Sequence, residues 1–513
     1  MKYSLFIPVL AATSFFGLIS SLSYHHQTKA HNFHTPTHHK KTYLNKGPHE
    51  TRILSPTHRK RENTDEINIA LQNAREKIYG VNLGGWLVTE PYITPSLYDY
   101  ANSLLRSSND NWRKEIVDEM HFADYLGYDT AYSILRQHVE TWYTESDIEK
   151  IALLGLNLIR VPIGYWAWKD IDRDMSQSTY LNGKISYFDT FINAGQLEKL
   201  RELLGWCQKY GVKAMIDLHG VPGSQNGFDN SGERSFYDPL RWLQELGNDL
   251  QSSNSTGTLT VEVLNSIFDE FITNNSYGDT VMGVQLVNEP FHWKVGADKI
   301  IMFYSDMIRK YKRVQNMLDK TSPETQVKLI LHDAFEPLGF WNSFFTPAKD
   351  DILIDHHYYQ CFSDWDLNKT DTQRVEGVLA YGKELLSEQS HHPSFVGEFS
   401  AAIDDCATYL NGFGVGARYD GTYYRTTNFE SPLKLNETPL GTCVSHLSID
   451  YWPEEYRRQT KKFIRSQLET YEKNSAGWIF WCWKTECAIS WDFERLVAFD
   501  IIPRNFKNLD HSF

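Results

Sequence analysis

Val281-Met-Gly-Val-Gln-Leu-Val-Asn-Glu-Pro290 is an apolar run that stops at an Asn-Glu pair and a proline. Its composition predicts a strand buried on both faces. A core strand has no use for an unpaired carboxylate at its end, because burying one is costly. The run therefore predicts a strand whose terminus carries chemistry. Seven similar runs flank it: Ile78–Val88, Leu156–Tyr165, Val212–Gly220, Val327–Asp333, Ile352–Tyr359, Ser394–Phe399 and Gly477–Lys484. Between them lie stretches with apolar residues at helical spacing: Ser146–Leu154, which opens on Ser-Asp, Gln196–Tyr210 and Pro453–Lys473. Eight such units predict an α/β protein, a (β/α)8 TIM barrel with long βα-loop insertions. A doubly wound parallel sheet is the competing arrangement. The polar residues favour the barrel. Glu90, Arg160, His219, Asn288, Glu289, His357, Tyr359, Glu398 and Trp483 all fall where predicted strands end, the rim at which barrels carry their sites. The stretches 221–280, 360–393 and 401–476 are long enough to build walls over that rim.

The chain of 513 residues suits one large domain or two ordinary ones, and its 41% hydrophobic and 23% charged content is that of a soluble globular protein. Aromatics reach 14%, with 15 Trp and 29 Tyr, which fits either sugar platforms or a core rich in large side chains. Residues 1–23 read as a signal peptide: Lys2, a mostly apolar run from Leu5 to Ile19, then Ser20, Ser21 and Ser23. A retained membrane anchor is the alternative. Residues 24–61 hold eight of the 19 His and eight Lys/Arg against Glu50 alone. This composition predicts a His-rich basic propeptide or disordered segment. Its end, His58-Arg59-Lys60-Arg61, resembles a dibasic processing site, and residues 62–513 form the predicted barrel domain. Cleavage after Arg61 would leave 42 Lys/Arg and 64 Asp/Glu, a net charge of about −22. That charge argues against nucleic acid or an anionic membrane as partners and suits a neutral polymer. Sequons at Asn254, Asn274, Asn368 and Asn436 fit glycosylation, and six Cys fit one to three disulfides, in a secreted or cell-wall protein. No metal, nucleotide or flavin motif is present, so no cofactor is expected.

Cleaving a glycosidic bond takes two carboxyl groups, one protonated and one ionised. Glu289 and Glu398, at the ends of the fourth and seventh predicted strands, are the strongest pair. Either alone reads as a structural ion pair; both on one rim read as catalytic.

Several ordered segments resemble glycoside hydrolase family 5, in particular the fungal exo-β-1,3-glucanases. They are Gly80-Val-Asn-Leu-Gly-Gly-Trp-Leu-Val-Thr-Glu-Pro91, Ile159-Arg-Val-Pro-Ile-Gly-Tyr-Trp166, Asp217-Leu-His-Gly220 with Gly223-Ser-Gln-Asn-Gly-Phe-Asp-Asn-Ser-Gly232, Val287-Asn-Glu-Pro290, Asp355-His-His-Tyr-Tyr-Gln360, Val396-Gly-Glu-Phe-Ser-Ala-Ala402, Leu410-Asn-Gly412 with Gly416-Ala-Arg-Tyr419, and Gly477-Trp-Ile-Phe-Trp-Cys-Trp-Lys-Thr-Glu486. The likeness runs from about residue 66 to about 505. It implies Glu289 as general acid/base and Glu398 as nucleophile. It implies Asn288 on the sugar 2-hydroxyl, Arg160 beside the nucleophile, and His219, His357 and Tyr359 lining the site. Glu90 and Asn230 would hold the terminal sugar, Trp483 would lie beneath it, and Phe228 and Phe362 would clamp the entrance. The implied activity is release of glucose from the end of β-1,3-glucan by a retaining exo-glucanase, a monomer, in cell-wall or spore-wall metabolism. A β-1,6-glucanase, a hydrolase of glucosyl glycoconjugates and a glucan transglycosylase are the other readings within this chemistry. A wall-binding protein without catalysis is the reading that the two acids argue against. There are departures. Phe399 stands where many relatives have Trp, and Cys361 and Cys482 where they often have Val and Ser. The relatives' C-terminal Cys, partner of the one matching Cys406, is missing, which leaves the partner of Cys406 open.

Overall fold

A computed structural model describes residues 77–107, 114–171, 178–235, 239–244, 255–318, 327–344, 352–423 and 439–504. The predicted signal and propeptide, with the cleavage site at Arg61, lie outside these residues. So do Asn254 and Asn436.

Eight parallel strands close into a barrel. They are β1 (Ile78–Asn82), β2 (Leu158–Gly164), β3 (Lys213–Gly220), β4 (Val281–Gln285), β5 (Lys328–His332), β6 (Ile352–His357), β7 (Ser394–Glu398) and β8 (Gly477–Phe480). Each lies inside one of the runs read from the sequence. The ring closes where Val81 pairs with Phe480 and with Ile159. The predicted runs overshoot β1, β4 and β8, because the residues beyond those strands turn onto the rim.

Six of the seven crossovers carry an amphipathic helix: α1 (Glu145–Leu154), α2 (Gln196–Tyr210), α3 (Thr256–Phe268), α4 (Ala297–Met317), α5 (Asp371–Glu388) and α6 (Glu454–Asn474); between β5 and β6 the described residues hold only the 3-10 turn Phe340–Ser343. In α2, Leu200, Leu203, Leu204 and Cys207 are buried, the i, i+3, i+4, i+7 stripe that packs a helix onto a sheet. Gly211, at φ 69°, ends it in the left-handed conformation. Helix α5 opens on a reciprocal cap between Thr370 and Gln373. Helices α3, α5 and α6 occupy the three long stretches that the sequence assigned to walls.

The barrel interior is filled, as small barrels must be. Leu158, Met215, Ile330, Leu353, Phe395 and Ile479, one from each of six strands, form a buried apolar layer. Phe399, the departure just past β7, is fully buried and packs edge-on against Tyr471 and Phe480 at 5.1 and 5.5 Å.

Candidate active site

Alternate residues of a barrel strand point inward. Two positions beyond the apolar layer, that phase lands on Arg160, Asp217, His332, Asp355, Gly397 and Trp481. The interior thus changes from apolar to polar toward the C-terminal rim. Arg160 is fully buried at the centre of this second layer. It donates Nε to Gln285 (2.9 Å), Nη1 to Asn82 (2.9 Å) and Glu398 (2.6 Å), and Nη2 to Asn288 (2.6 Å). Asp217 lies 3.1 Å and Asp355 3.7 Å away. Stripping a guanidinium of water costs several kcal/mol, which this set of acceptors offsets. Gly397 is required here: a Cβ on it would stand 1.9 Å from Oδ1 of Asp355.

Glu398 ends β7. Its Oε1 takes the Arg160 bond and its Oε2 accepts the Tyr359 hydroxyl at 2.9 Å. Glu289 follows β4 with φ 46°. This left-handed conformation is strained for a glutamate and is of the kind held at functional sites. Its Oε1 meets Nδ1 of His357 at 2.8 Å, and its Oε2 accepts Asn230 Nδ2 at 3.2 Å. The same His357 nitrogen stands 3.4 Å from Oε2 of Glu398. The nearest oxygens of the two acids are therefore separated by no more than 2.8 and 3.4 Å end to end.

Burial pushes both carboxyls up. For Glu289 the His357 hydrogen bond and charge more than reverse this, leaving it below its ordinary value. For Glu398, His357 and Arg160 reverse it only in part, and it stays above. His357 resists burial because the charges of Glu398 and Asp355 surround it, so its pKa lies well above that of a free imidazole. Nδ1 of His357 and Oε1 of Glu289 are placed to share one proton across their 2.8 Å contact.

The other predicted residues are close by. His219 is fixed by Asp217 (Nδ1 to Oδ2, 2.6 Å) and stands 3.4 Å from Asn288 Nδ2. Gln225 Nε2 donates to the carbonyls of His219 and Asn288, tying the two strand ends together. Glu90 is buried, accepts the Gly85 amide at 3.3 Å, and is raised well above a normal carboxyl by burial and the charges of Asp229 and Glu398. Asp229 is itself lifted to about 6, chiefly by desolvation. Phe228 packs on Phe291 at 5.8 Å on the Glu289 flank. Phe362 packs on Tyr359 at 5.5 Å on the Glu398 flank.

Trp483 requires a correction. It is fully buried, and its indole N–H points to Oδ1 of Asp147, 3.2 Å away near the start of α1. It therefore does not face the two acids. Trp481 does the facing: its ring stacks on His219 at 5.6 Å and 12°, and the Arg160 guanidinium lies 6.0 Å from it. The inward phase from Ile479 reaches Trp481 directly, whereas β8 ends before it can carry that phase to Trp483. The sequence reading also missed Asn82, Asp217, Gln285 and Asp355 around Arg160, and Asp229 beside Glu90. Inward phase was the signal for Asp217 and Asp355.

Glu289, His332 and His357 bring ligating atoms within 4.8 Å of one another. Nδ1 of His332, however, accepts the Ala334 amide at 2.9 Å. The neutral ring then carries its hydrogen on Nε2 and aims no lone pair at the other two. Cys406 pairs with Cys443, while Cys207, Cys361, Cys482 and Cys487 are free thiols. That answers which residue replaces the relatives' C-terminal Cys. Asn274 and Asn368 are both exposed. No helix among the described residues is long and apolar enough to cross a membrane.

Residues 124–413 match the family model for cellulase (glycosyl hydrolase family 5). Glucan 1,3-beta-glucosidase 2 of Saccharomyces cerevisiae is 42% identical over 86% of this chain and 79% of its own length. The sporulation-specific glucan 1,3-beta-glucosidase of the same yeast is 39% identical over 86% of this chain and 89% of its own. The glucan 1,3-beta-glucosidase of Schwanniomyces occidentalis is 38% identical over 86% and 90%. Among solved structures, a rutinosidase from Aspergillus niger superposes with a TM-score of 0.56 over 83% of this chain and 98% of its own, at 18% identity. This last likeness concerns the fold alone.

Proposed function

The chain belongs to glycosyl hydrolase family 5, and from that premise we propose that it is a retaining exo-β-1,3-glucanase releasing glucose from the end of β-1,3-glucan. The observation that carries the retaining scheme is the bridge of one His357 nitrogen to both acids, at 2.8 and 3.4 Å. Taken end to end, these distances fall short of the roughly 6.5–9.5 Å that an inverting pair needs for its water, and suit the about 5–5.5 Å of a retaining pair.

In the first step Glu398 attacks the anomeric carbon. The bond to the leaving oxygen breaks, and that oxygen takes the proton held between Glu289 and His357. In the second step Glu289 removes a proton from water. The water oxygen bonds to the anomeric carbon, and the glucosyl–Glu398 bond breaks to release glucose and the ionised carboxylate. Arg160 and Tyr359 hold Glu398 in position for both steps. Asn288, its Oδ1 occupied by Arg160, has its Nδ2 for a sugar hydroxyl. Glu90, Asp229 and Asn230 cluster beside the acids, which suits holding the hydroxyls of a terminal sugar. His219 and Trp481 would form the floor beneath that sugar. The names of the yeast relatives support the β-1,3 linkage. Secretion to a glucan wall, with glycans at Asn274 and Asn368, fits the signal-like N-terminus.

The test is incubation of the secreted protein with laminarin and identification of the first product. Glucose from the outset is expected. Longer oligosaccharides first would contradict the exo mode, and chain elongation would replace hydrolysis by transfer.

A further inference from the structure

Beyond Glu289 the chain turns at Pro290 and places three rings in succession: Phe291, His292 and Trp293. Phe291 is buried at 2% exposure and is the hub of an aromatic group. Phe228 packs on it at 5.8 Å, Phe335 at 5.8 Å and Trp293 at 5.1 Å. The hub is rigidly mounted. Its amide donates to the Gln225 carbonyl at 3.0 Å, and the Gln225 side chain binds the carbonyls of His219 and Asn288. The outer ring, Trp293, is 37% exposed. His292 lies against it at 3.8 Å and is itself pinned by Nδ1 to the Ala334 carbonyl at 2.7 Å.

The direction of this aromatic step matters. It starts two residues from the acid that protonates the leaving oxygen, and Phe228, which packs on Phe291, comes from the same loop as Asn230, which donates to Glu289. The leaving part of the substrate must lie on the general acid's side of the scissile bond. In a polymer that part is the remainder of the glucan chain. A wide, preordered indole on the general acid's flank suits the apolar face of a sugar beyond the first leaving residue.

We propose that Trp293 is a specificity-determining platform for the leaving-side glucan chain, so that the enzyme favours long chains over short ones. The inference rests on the β-glucanase reading given above. It makes Trp293 irrelevant to the chemical step and to small aglycones, which do not reach it.

The test compares kcat/KM of the wild type and of Trp293→Ala on p-nitrophenyl β-glucoside, laminaribiose and laminaripentaose. An aromatic contact of ordinary strength predicts a loss of about 3- to 10-fold on the pentaose, carried mostly by KM. The aryl glucoside should be unchanged and the biose nearly so. Trp293→Phe should recover most of the loss. An equal loss on all three substrates would mark Trp293 as structural and overturn the inference, as would an unchanged value on the pentaose. A wild type that cleaves the aryl glucoside but neither laminari-oligosaccharide would overturn the β-1,3-glucan reading and the platform with it. Failure of the platform alone differs: the wild type then cleaves the pentaose and the variant matches it.

Discussion

Nη1 of Arg160 donates to Oε1 of Glu398 across 2.6 Å; the arginine is fully buried and the glutamate keeps a small exposed edge. Neither group is tolerable there alone, because an unpaired buried charge is strongly destabilising. Arg160→Met would leave Glu398, Asp217 and Asp355 without their cation. It should cost about 3–5 kcal/mol of stability, measurable by denaturant titration. Arg160→Lys keeps the charge but loses the planar fork. It should fold, with kcat reduced by about 10²–10³.

Glu289→Ala should separate protonation from attack. Hydrolysis of glucan, whose leaving alcohol needs a proton, should fall by about 10²–10⁴. Dinitrophenyl β-glucoside, whose leaving group needs none, should form the glucosyl enzyme at near wild-type rate. Added azide should then speed turnover and yield glucosyl azide. Equal losses on both substrates would remove the acid role from Glu289.

Gly397→Ala inserts a methyl where the Asp355 carboxylate already sits. Overpacking of this kind costs about 1–3 kcal/mol. Because Asp355 also contacts Gln285, His357 and Arg160, kcat/KM should fall at least about tenfold with it, as a displacement of catalytic groups predicts. Thermal unfolding and steady-state kinetics on one preparation check both.

His356 points away from the site. Its Nδ1 meets Asp333 at 2.8 Å and its Nε2 meets Glu388 at 2.6 Å. Burial works against its charge, but the two carboxylates raise its pKa to about 10. Glu388, despite burial, falls to about 2 through His356. A group raised in the folded state stabilises it below its unfolded pKa, and the gain is lost as pH climbs to the folded value. This pair should therefore contribute fully between roughly pH 4.5 and 6.5. The contribution should fade toward pH 10 on one side and pH 2 on the other. Denaturant titrations across pH should show that fall, and His356→Leu should flatten the alkaline side.

Much of this architecture is written in local pattern. All eight strands lie in mainly apolar runs, because a strand covered on both faces shows little polar surface. Glu289 and Glu398 stand out because each ends such a run. What stayed hidden depends on angle rather than order. Trp481 and Trp483 lie two residues apart in one motif, and only the point where β8 stops decides which of them turns inward. Asn82 and Gln285 are ordinary strand residues until the barrel closes around Arg160. The pairing of Cys406 with Cys443 follows from loop geometry that six cysteines alone leave open.

Retention requires the Glu398 carboxylate to form the bond to the anomeric carbon. A 2-deoxy-2-fluoro-β-glucosyl fluoride slows the second step more than the first and leaves the intermediate on its nucleophile. Peptide mapping of the inactivated enzyme should find one fluoroglucosyl group on Glu398, and Glu398→Gln should take up none while remaining folded. A label on another residue, or inactivation without any label together with an α-configured first product, would contradict the mechanism.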